Sequence, residues 1–573
     1  MERKPWFNKY DKGVPHSLEP YPKIPLFGFL EQAARDYPNN TALIFKPRAM
    51  KGALDGLTGG KMDYRTLNEM TDRLAGALAK LGVKKGDRVI IFMPNSPQFV
   101  IAYYGIMKAG GIVVATNPLY SAREMEYQFN DCGAELILAT SNFYARVKEV
   151  QPKTKIKKVV VSHIREYMGG FLKTLFPLNK HTAAEHQATL ATDDVWMADL
   201  IAQITPADRP KLDIGPEDIA IFQYTGGTTG VSKGAVALHR NLVADTLAIK
   251  AFVSDVRQGQ EVVLVALPLF HVYGMVAAMN FGLAAAASLV LVPNPRDLEN
   301  VLSAINTYHP SIFPGVPTMY NAINNYPDLS RFNIRSIKAC ISGSAPLMPE
   351  TQLKFEKLTG GKLREGYGLS EAPTASHCNP LYGENRVGSI GLPLPDVDCK
   401  IVSLDDPDKE LGVGEVGELC LKGPIVMQGY WNMPTETNNV LKNGWLYTGD
   451  IAKMDKDGYF YIVDRKKDMV IAGGFNIYPT NIEKVIKEHP KVFDVAAAGI
   501  PDPHRGETIK VWIVPKPGET VTEQEIIDFC KKELAKFEVP TAVEFRQELP
   551  KTMVGKTLRR MLVEEEKKKA QAK

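Results

Sequence analysis

Cysteine is scarce and scattered in this chain of 573 residues. The six cysteines (Cys132, Cys340, Cys378, Cys399, Cys420 and Cys530) form no Cys-x-x-Cys pair and have no histidine at metal-ligand spacing. That removes the usual grounds for a zinc site or a disulfide framework. A charge bias is missing too, since 69 Lys and Arg against 65 Asp and Glu leave an excess of four. So slight an excess gives no nucleic-acid surface. The opening MERKPWFNKYDKGVP has no apolar stretch behind its charges, so it does not read as a secretory signal, and a reducing cytoplasm is the default expectation. No internal repeat or low-complexity tract is present.

Long uncharged runs are lacking with one exception, from Glu261 to Arg296, between which no Lys, Arg, Asp or Glu occurs. Pro268, His271, Asn280 and several glycines interrupt it. It reads as a buried strand in VVLVALPLF, a core helix in VYGMVAAMNFGLAAAA and a strand in SLVLVP, in preference to a membrane span. The segment Tyr167 to Pro177 reads as a loop packed on the protein, with peripheral contact at a bilayer surface as its alternative.

The length calls for at least two domains. Five prolines in the first 26 residues predict an extended arm over a domain surface. Leu67, Met70, Leu74, Leu78 and Leu81 recur at steps of three and four, so Tyr64 to Leu81 is expected to be an amphipathic helix. The short apolar runs RVIIFMP, IVVAT, ELILA and VVVS alternate with helix-like segments, which predicts a doubly wound α/β body with a parallel sheet. Ligands of such sheets bind in loops beyond the strand C-termini.

From Gly417 the chain turns to β-like pieces, GELCLKG, GWLYTGDIAKMD and YFYIVDR, with Asp457-Gly458 suited to a hairpin turn. Beyond Arg465 helices and strands mix. Residues 1–466 are expected to form the body with its β-rich subdomain, and 467–573 a small α+β domain ending in a charged helix or tail.

The most specific segment is YTGGTTGVSKG, Tyr224 to Gly234, directly after the strand AIFQ. Its hydroxyls, bare glycine amides and Lys233 form a nest for phosphate oxygens, though not of Walker form. A merely flexible glycine turn would not call for this many hydroxyls and a lysine. In EGYGLSEA, Tyr367 between two glycines can stack a purine, and Glu371 can hold Mg²⁺ beside phosphates. Asp450 in YTGD and Arg465 in DRKKD suit ribose hydroxyls and phosphate. Lys556 follows a glycine in LPKTMVGKTLRR, a basic run that taken alone reads as a solvated face.

Taken together, YTGGTTGVSKG, PLFHVYG, SGSAPL, EGYGLSEA, GWLYTGD, DRKKDMVIAGGFNIYP and PKTMVGK occur in the order found in the adenylate-forming superfamily. The chain resembles that superfamily of acyl-CoA synthetases, acyl-AMP ligases, peptide-synthetase adenylation domains and insect luciferases over nearly its whole length. The opening KPWFNKYDKGVPHSL and the stretches LPLFHVYG and VDRKKDMVIAGGFNIYP are most similar to bacterial-type long-chain fatty acid CoA ligases.

The resemblance implies that Thr225, Gly226, Gly227, Thr228, Thr229 and Gly230 cradle the β- and γ-phosphates of ATP, with Lys233 at the loop's end. It implies that Thr225 and Glu371 attend Mg²⁺, and that Gly343, Ser344 and Ala345 enclose adenine together with Gly366, Tyr367 and Gly368. Asp450 and Arg465 would grip the ribose. Lys556 would bridge the carboxylate and the α-phosphate. Lys467 would be the hinge of a rotating C-terminal domain, and Gly473 and Gly474 would let the pantetheine of coenzyme A pass. His271 would wall the acyl pocket, or else pack in an aromatic cluster. The implied reaction makes acyl-AMP and pyrophosphate from a fatty acid and ATP, then acyl-CoA and AMP. A luciferase-like oxygenase, a carrier-loading acyl-AMP ligase and an aryl-CoA ligase share these motifs. Gly282 and the alanines at 284–287 suggest room for an acyl tail, but the sequence fixes neither chain length nor oligomeric state.

Overall fold

A computed structural model describes residues 4–47, 59–176, 184, 186–225, 232–472, 475–502, 506–552 and 555–571. Four apolar runs become neighbouring strands of one eight-stranded sheet. Arg88–Phe92 pairs in parallel with Ile112–Ala115 on one side and Leu136–Thr140 on the other, and Lys158–Ser162 follows beyond the latter. Ile219–Tyr224 joins the opposite flank in parallel and turns back antiparallel through Gly234–Leu238. The phosphate-loop sequence therefore connects two adjacent strands at the sheet's C-terminal edge, where such folds bind ligands.

The expected amphipathic helix spans Tyr64–Lys80. Asp63 caps it, accepting the Thr66 N–H at 2.7 Å, and Leu67, Leu74 and Leu78 are fully buried. It packs on Pro97–Lys108, a helix begun by Ser96 and Pro97. Between the two lies a buried ion pair, with Lys108 Nζ donating to Asp72 Oδ1 at 2.7 Å and to Asn68 Oδ1 at 2.8 Å. Burial pulls the Lys108 pKa down while Asp72 opposes it.

The uncharged stretch is core. Val262–Val265 and Ser288–Leu291 pair in parallel inside a second sheet, and the residues between them are helical from Val272 to Ala284, with a π-helical turn over Met275–Asn280. Its one buried amide is satisfied, because Asn280 accepts from Tyr104 and donates to Tyr103, at 3.0 and 3.3 Å. Among the described residues no helix is long and apolar enough to cross a membrane.

Three expectations need adjustment. The N-terminal arm is not wholly extended, because Pro5–Lys9 winds into a 3₁₀ turn that buries Trp6 against Phe460. The segment after Tyr167 is not a loop, since Gly170–Leu175 is a short helix that turns Leu172 and Phe176 inward, Phe176 against His163. Gly282 opens no tail-sized space, as Leu289 Cδ2 lies 2.3 Å from where its Cβ would stand.

Gly417–Lys422, Trp445–Met454 and Phe460–Arg465 form an antiparallel sheet with Asp398–Val402. Asp457 and Gly458 lie in the hairpin between the last two strands of the chain segment. After Val470 a separate sheet, built mainly from Val492–Asp502 and Gly506–Pro515, carries its own core of Ile482, Ile486, Val495, Val511, Ile526 and Cys530.

Asp72→Ala leaves the Lys108 ammonium buried without its closest anion, and is expected to cost about 3 kcal/mol. Asp72→Ala with Lys108→Met should recover much of that loss in denaturant unfolding. Equal destabilisation by the single and the double variant would show that the pair contributes packing only.

Candidate active site

The strand Ile219–Tyr224 delivers Thr225 to the sheet edge, and the phosphate-loop segment is zipped at its base. The Thr225 N–H donates to the Lys233 carbonyl at 2.9 Å, and the Lys233 N–H to Thr225 Oγ1 at 3.4 Å. Tyr224 ties this base to the neighbouring helix, donating to Asp131 Oδ2 at 2.5 Å. Gly226, Gly227, Thr228, Thr229 and Gly230 lie outside the described residues.

Lys233 reaches across to the segment that orients Glu371. Its ammonium pairs with Glu436 and stands 5.1 Å from the ring centre of Tyr430. The Tyr430 hydroxyl donates to Glu371 Oε1 at 2.7 Å. Tyr430 was not foreseen from sequence, because it sits 59 residues from its carboxylate and in no glycine- or charge-marked motif.

The other segments are fixed mainly through backbone. Tyr273 of PLFHVYG donates to the Ile341 and Gly315 carbonyls at 2.6 and 3.2 Å, and the Gly343 N–H donates to Gly315 at 3.2 Å. Ser344 then adopts the left-handed region at φ 72°. Asn95, also missed, holds PLFHVYG in place. Its amide donates to the carbonyls of Val265, Leu267 and Val292 and accepts from the Leu269 N–H at 2.8 Å. In EGYGLSEA, a Cβ on Gly368 would lie 1.4 Å from the Thr374 carbonyl oxygen, so only glycine lets these strands close.

Asp450 and Arg465 face each other in register on adjacent antiparallel strands. Arg465 Nε stands 3.0 Å from Asp450 Oδ1, and the Tyr367 hydroxyl donates to Asp450 Oδ2 at 2.5 Å. Three of the expected nucleotide contacts are thus one unit, joined by an ion pair and a hydrogen bond, with Asp450 only 4% exposed. Directly after Arg465, Lys466 is stapled to the body. Its N–H donates to the Gly449 carbonyl and its ammonium to Glu418 Oε2, both at 2.9 Å.

Lys556 comes into this group from a turn in which Thr552 Oγ1 accepts its N–H at 3.1 Å. The turn rests on the body through Gly555. That residue has φ 76°, and a Cβ there would stand 2.8 Å from Thr318 Oγ1 on the helix Pro317–Asn324. Lys556 is therefore no solvated surface lysine. Burial, reinforced by repulsion from Arg465 and Lys467 and opposed by Asp450 and Asp468, brings its pKa down to about 7. Lys467 is itself held below the ordinary lysine range, by burial first and then by Arg465. His271 accepts the Tyr273 N–H on Nδ1 at 3.2 Å, capping the helix it precedes, and burial together with Lys556 lowers its pKa to about 4. Residues 271, 450, 465, 467 and 556 thus converge electrostatically. Gly473 and Gly474 lie outside the described residues.

His271 and Lys556, both held below their ordinary ranges by burial, stand with the Asp450-paired Arg465 in a group whose cations can meet an anion. Among the described residues no group of three or more His, Cys, Asp or Glu side chains is placed to hold a metal ion.

The family model described as AMP-binding enzyme matches residues 30–431, and the one described as AMP-binding enzyme C-terminal domain matches residues 481–556. A long-chain-fatty-acid–CoA ligase of Bacillus subtilis is 41% identical over 571 residues, covering 99% of both chains. One of Escherichia coli O6:H1 is 37% identical with full coverage of both. Among solved structures, ATP-bound MatB from Rhodopseudomonas palustris superposes with a TM-score of 0.82 at 28% identity, over 95% of this chain and 99% of that one. A Mycobacterium tuberculosis fatty acyl CoA synthetase superposes at 0.70 with 28% identity, over 94% and 98%. With its motifs in order and relatives matched end to end, the chain belongs to the AMP-binding enzyme family.

Proposed function

We propose that this chain is an AMP-forming acid–thiol ligase that joins a medium- or long-chain fatty acid to coenzyme A. The observation that carries the reading is Lys556, brought from the far end of the chain into the Asp450–Arg465–Tyr367 unit with its pKa depressed by burial. The identity to long-chain-fatty-acid–CoA ligases supports the acyl class.

In the first half-reaction a carboxylate oxygen attacks the α-phosphorus of ATP, the bond to the pyrophosphate oxygen breaks, and acyl-AMP forms. Both reactants are anions, so the barrier is electrostatic and positional. Lys556 takes up its proton as the anions arrive and bridges the carboxylate and the α-phosphate. Asp450 accepts from the ribose hydroxyls while Arg465, 3.0 Å from its Oδ1, holds the carboxylate in place. Ser344 and its neighbours Gly343 and Ala345, with Gly366, Tyr367 and Gly368, bound the adenine. Thr225 to Gly230 and Lys233 hold the β- and γ-phosphates.

The donors available for Mg²⁺ are hard oxygens, Glu371 oriented by Tyr430 and the hydroxyl of Thr225, which fits an ion that keeps phosphate and water ligands. When bound it would neutralise phosphate charge. In the second half-reaction the thiolate of coenzyme A attacks the acyl carbonyl and AMP leaves. His271 would border the acyl group at that stage. We place the hinge at Lys467, between a body of residues 1–466 and a C-terminal domain of 467–573, because Lys466 is bonded to the body on both its backbone and its side chain. Rotation about it would withdraw Lys556 and bring Gly473 and Gly474 to the pantetheine path.

A panel of carboxylic acids assayed by pyrophosphate release should favour medium and long fatty acids over acetate and hydroxycinnamate. Preference for an aromatic acid would overturn the acyl class, and light emission with oxygen uptake would overturn the ligase. Glu371→Gln, equal in size and uncharged, should weaken Mg²⁺-dependent adenylation far more than it lowers the melting temperature. Full activity with a lost thermal transition would make Glu371 structural.

Lys556→Ala should suppress acyl-AMP formation by about 10³-fold while leaving thioester formation from supplied acyl-AMP near the parental rate. The empty-site pKa of about 7 also sets a pH window. Below it the ammonium is present before ATP binds. Above it a proton must be taken up on binding, so the KM for ATP should rise, approaching about tenfold per pH unit. Lys556→Ala should flatten that slope, and an unchanged slope would assign the titration to another group.

A further inference from the structure

Arg559 stands three residues beyond Lys556 and opens the helix Arg559–Gln571. Its guanidinium is ringed by acceptors. Nε and Nη2 donate to the two oxygens of Glu483 at 3.0 and 2.7 Å. Nη1 donates to Asp468 Oδ2 at 3.1 Å, and Nη2 also reaches Thr480 Oγ1 at 3.0 Å. One further carboxylate is present, that of Asp464, whose Oδ1 lies 3.6 Å from Nη1. Asp464 is 2% exposed, and its Oδ2 accepts the Thr480 N–H at 2.7 Å, in the first turn of the helix Pro479–Lys487.

These partners divide at Lys467. Asp468, Thr480 and Glu483 follow it and would travel with Arg559 in any rotation about that residue. Asp464 precedes it, on the strand Phe460–Arg465 that carries the ribose arginine. It makes two contacts across the hinge, a hydrogen bond from the first turn of a helix at 2.7 Å and an ion pair with a guanidinium at 3.6 Å. Neither can survive a rotation that moves Thr480 and Arg559 together away from the strand.

We infer that Asp464 is a positioning residue for the first half-reaction. Its carboxylate latches Thr480 and Arg559 to the body, and so holds Lys556 at the α-phosphate until the domain turns. The inference rests on the ligase reading and on a hinge at Lys467. Without Asp464, Arg559 keeps Glu483 and Asp468, so the C-terminal fold retains its own ion pairs while its tether to the body weakens. The closed arrangement then becomes less populated, and the turned arrangement is reached more readily.

The test uses full-length Asp464→Ala, Asp464→Asn and Arg559→Lys, with the two half-reactions measured separately. These are fatty-acid-dependent ATP–pyrophosphate exchange, and thioester formation from purified acyl-AMP and coenzyme A. Asp464→Ala is expected to slow exchange about tenfold or more while thioester formation stays at or above the parental rate. Asp464→Asn, which keeps an oxygen for the Thr480 N–H, should fall between, and Arg559→Lys should retain more exchange than Asp464→Ala. If Asp464→Ala lacks a cooperative thermal transition, Asp464→Asn decides. Variants that lose both half-reactions equally, or neither, overturn the latch alone. A parental chain that exchanges no pyrophosphate with any acid overturns the ligase reading and the latch with it.

Discussion

The pairing of Asp450 with Arg465 across two antiparallel strands is the contact on which the rest of the site depends. The Asp450 carboxylate is 4% exposed and both its oxygens are partnered, Oδ1 by Arg465 at 3.0 Å and Oδ2 by the Tyr367 hydroxyl. The pair joins three separate pieces of the chain. Tyr367 belongs to the strand Lys362–Leu369, Asp450 to the β-rich sheet, and Arg465 to the last strand before the C-terminal domain. Cross-strand register places the two charges opposite each other, so the strands cannot slip without breaking the pair.

That arrangement also determines what Lys556 experiences. Arg465 repels it and Asp450 attracts it, but desolvation outweighs both and lowers its pKa. An ammonium held near neutrality, beside an arginine already committed to a carboxylate, leaves local positive charge that anionic reactants relieve. The cost of bringing a carboxylate to a polyphosphate is thus met by groups already in place. Lys466, fixed to Glu418, anchors the chain directly after the pair, and Asp464 accepts the Thr480 N–H from the segment beyond it.

Much of the fold was legible locally. The leucine stripe of Tyr64–Lys80 and the apolar runs of the parallel sheet each follow from a periodicity that a single segment carries. Elements set by distant partners were read less well. The arm around Trp6 winds up because Phe460 offers it a surface, and the helix Gly170–Leu175 forms because Leu172 and Phe176 find the protein interior. Gly282 looked like a vacancy in sequence and is filled by Leu289. Of the site, the motif residues were visible as types, while Tyr430, Asn95, Thr318 and Asp464 were not. Their contacts come from neighbours 59 or more residues away, or, for Asp464, from one backbone amide 16 residues further on.

The sequence by itself determined the α/β class, the family and the residue types offered for a nucleotide site, because glycine spacing, hydroxyl density and strand periodicity are properties of contiguous residues. Only the tertiary structure decided how those residues act on one another. It turned Asp450, Arg465 and Tyr367 from three separate candidates into one unit. It also turned Lys556 from one lysine in a basic run into a buried group near neutrality. The reason is physical, since a side chain's pKa and hydrogen-bond partners depend on desolvation and on charges a few ångströms away. Folding alone brings residues 271, 450, 465 and 556 close enough for their charges to act on one another.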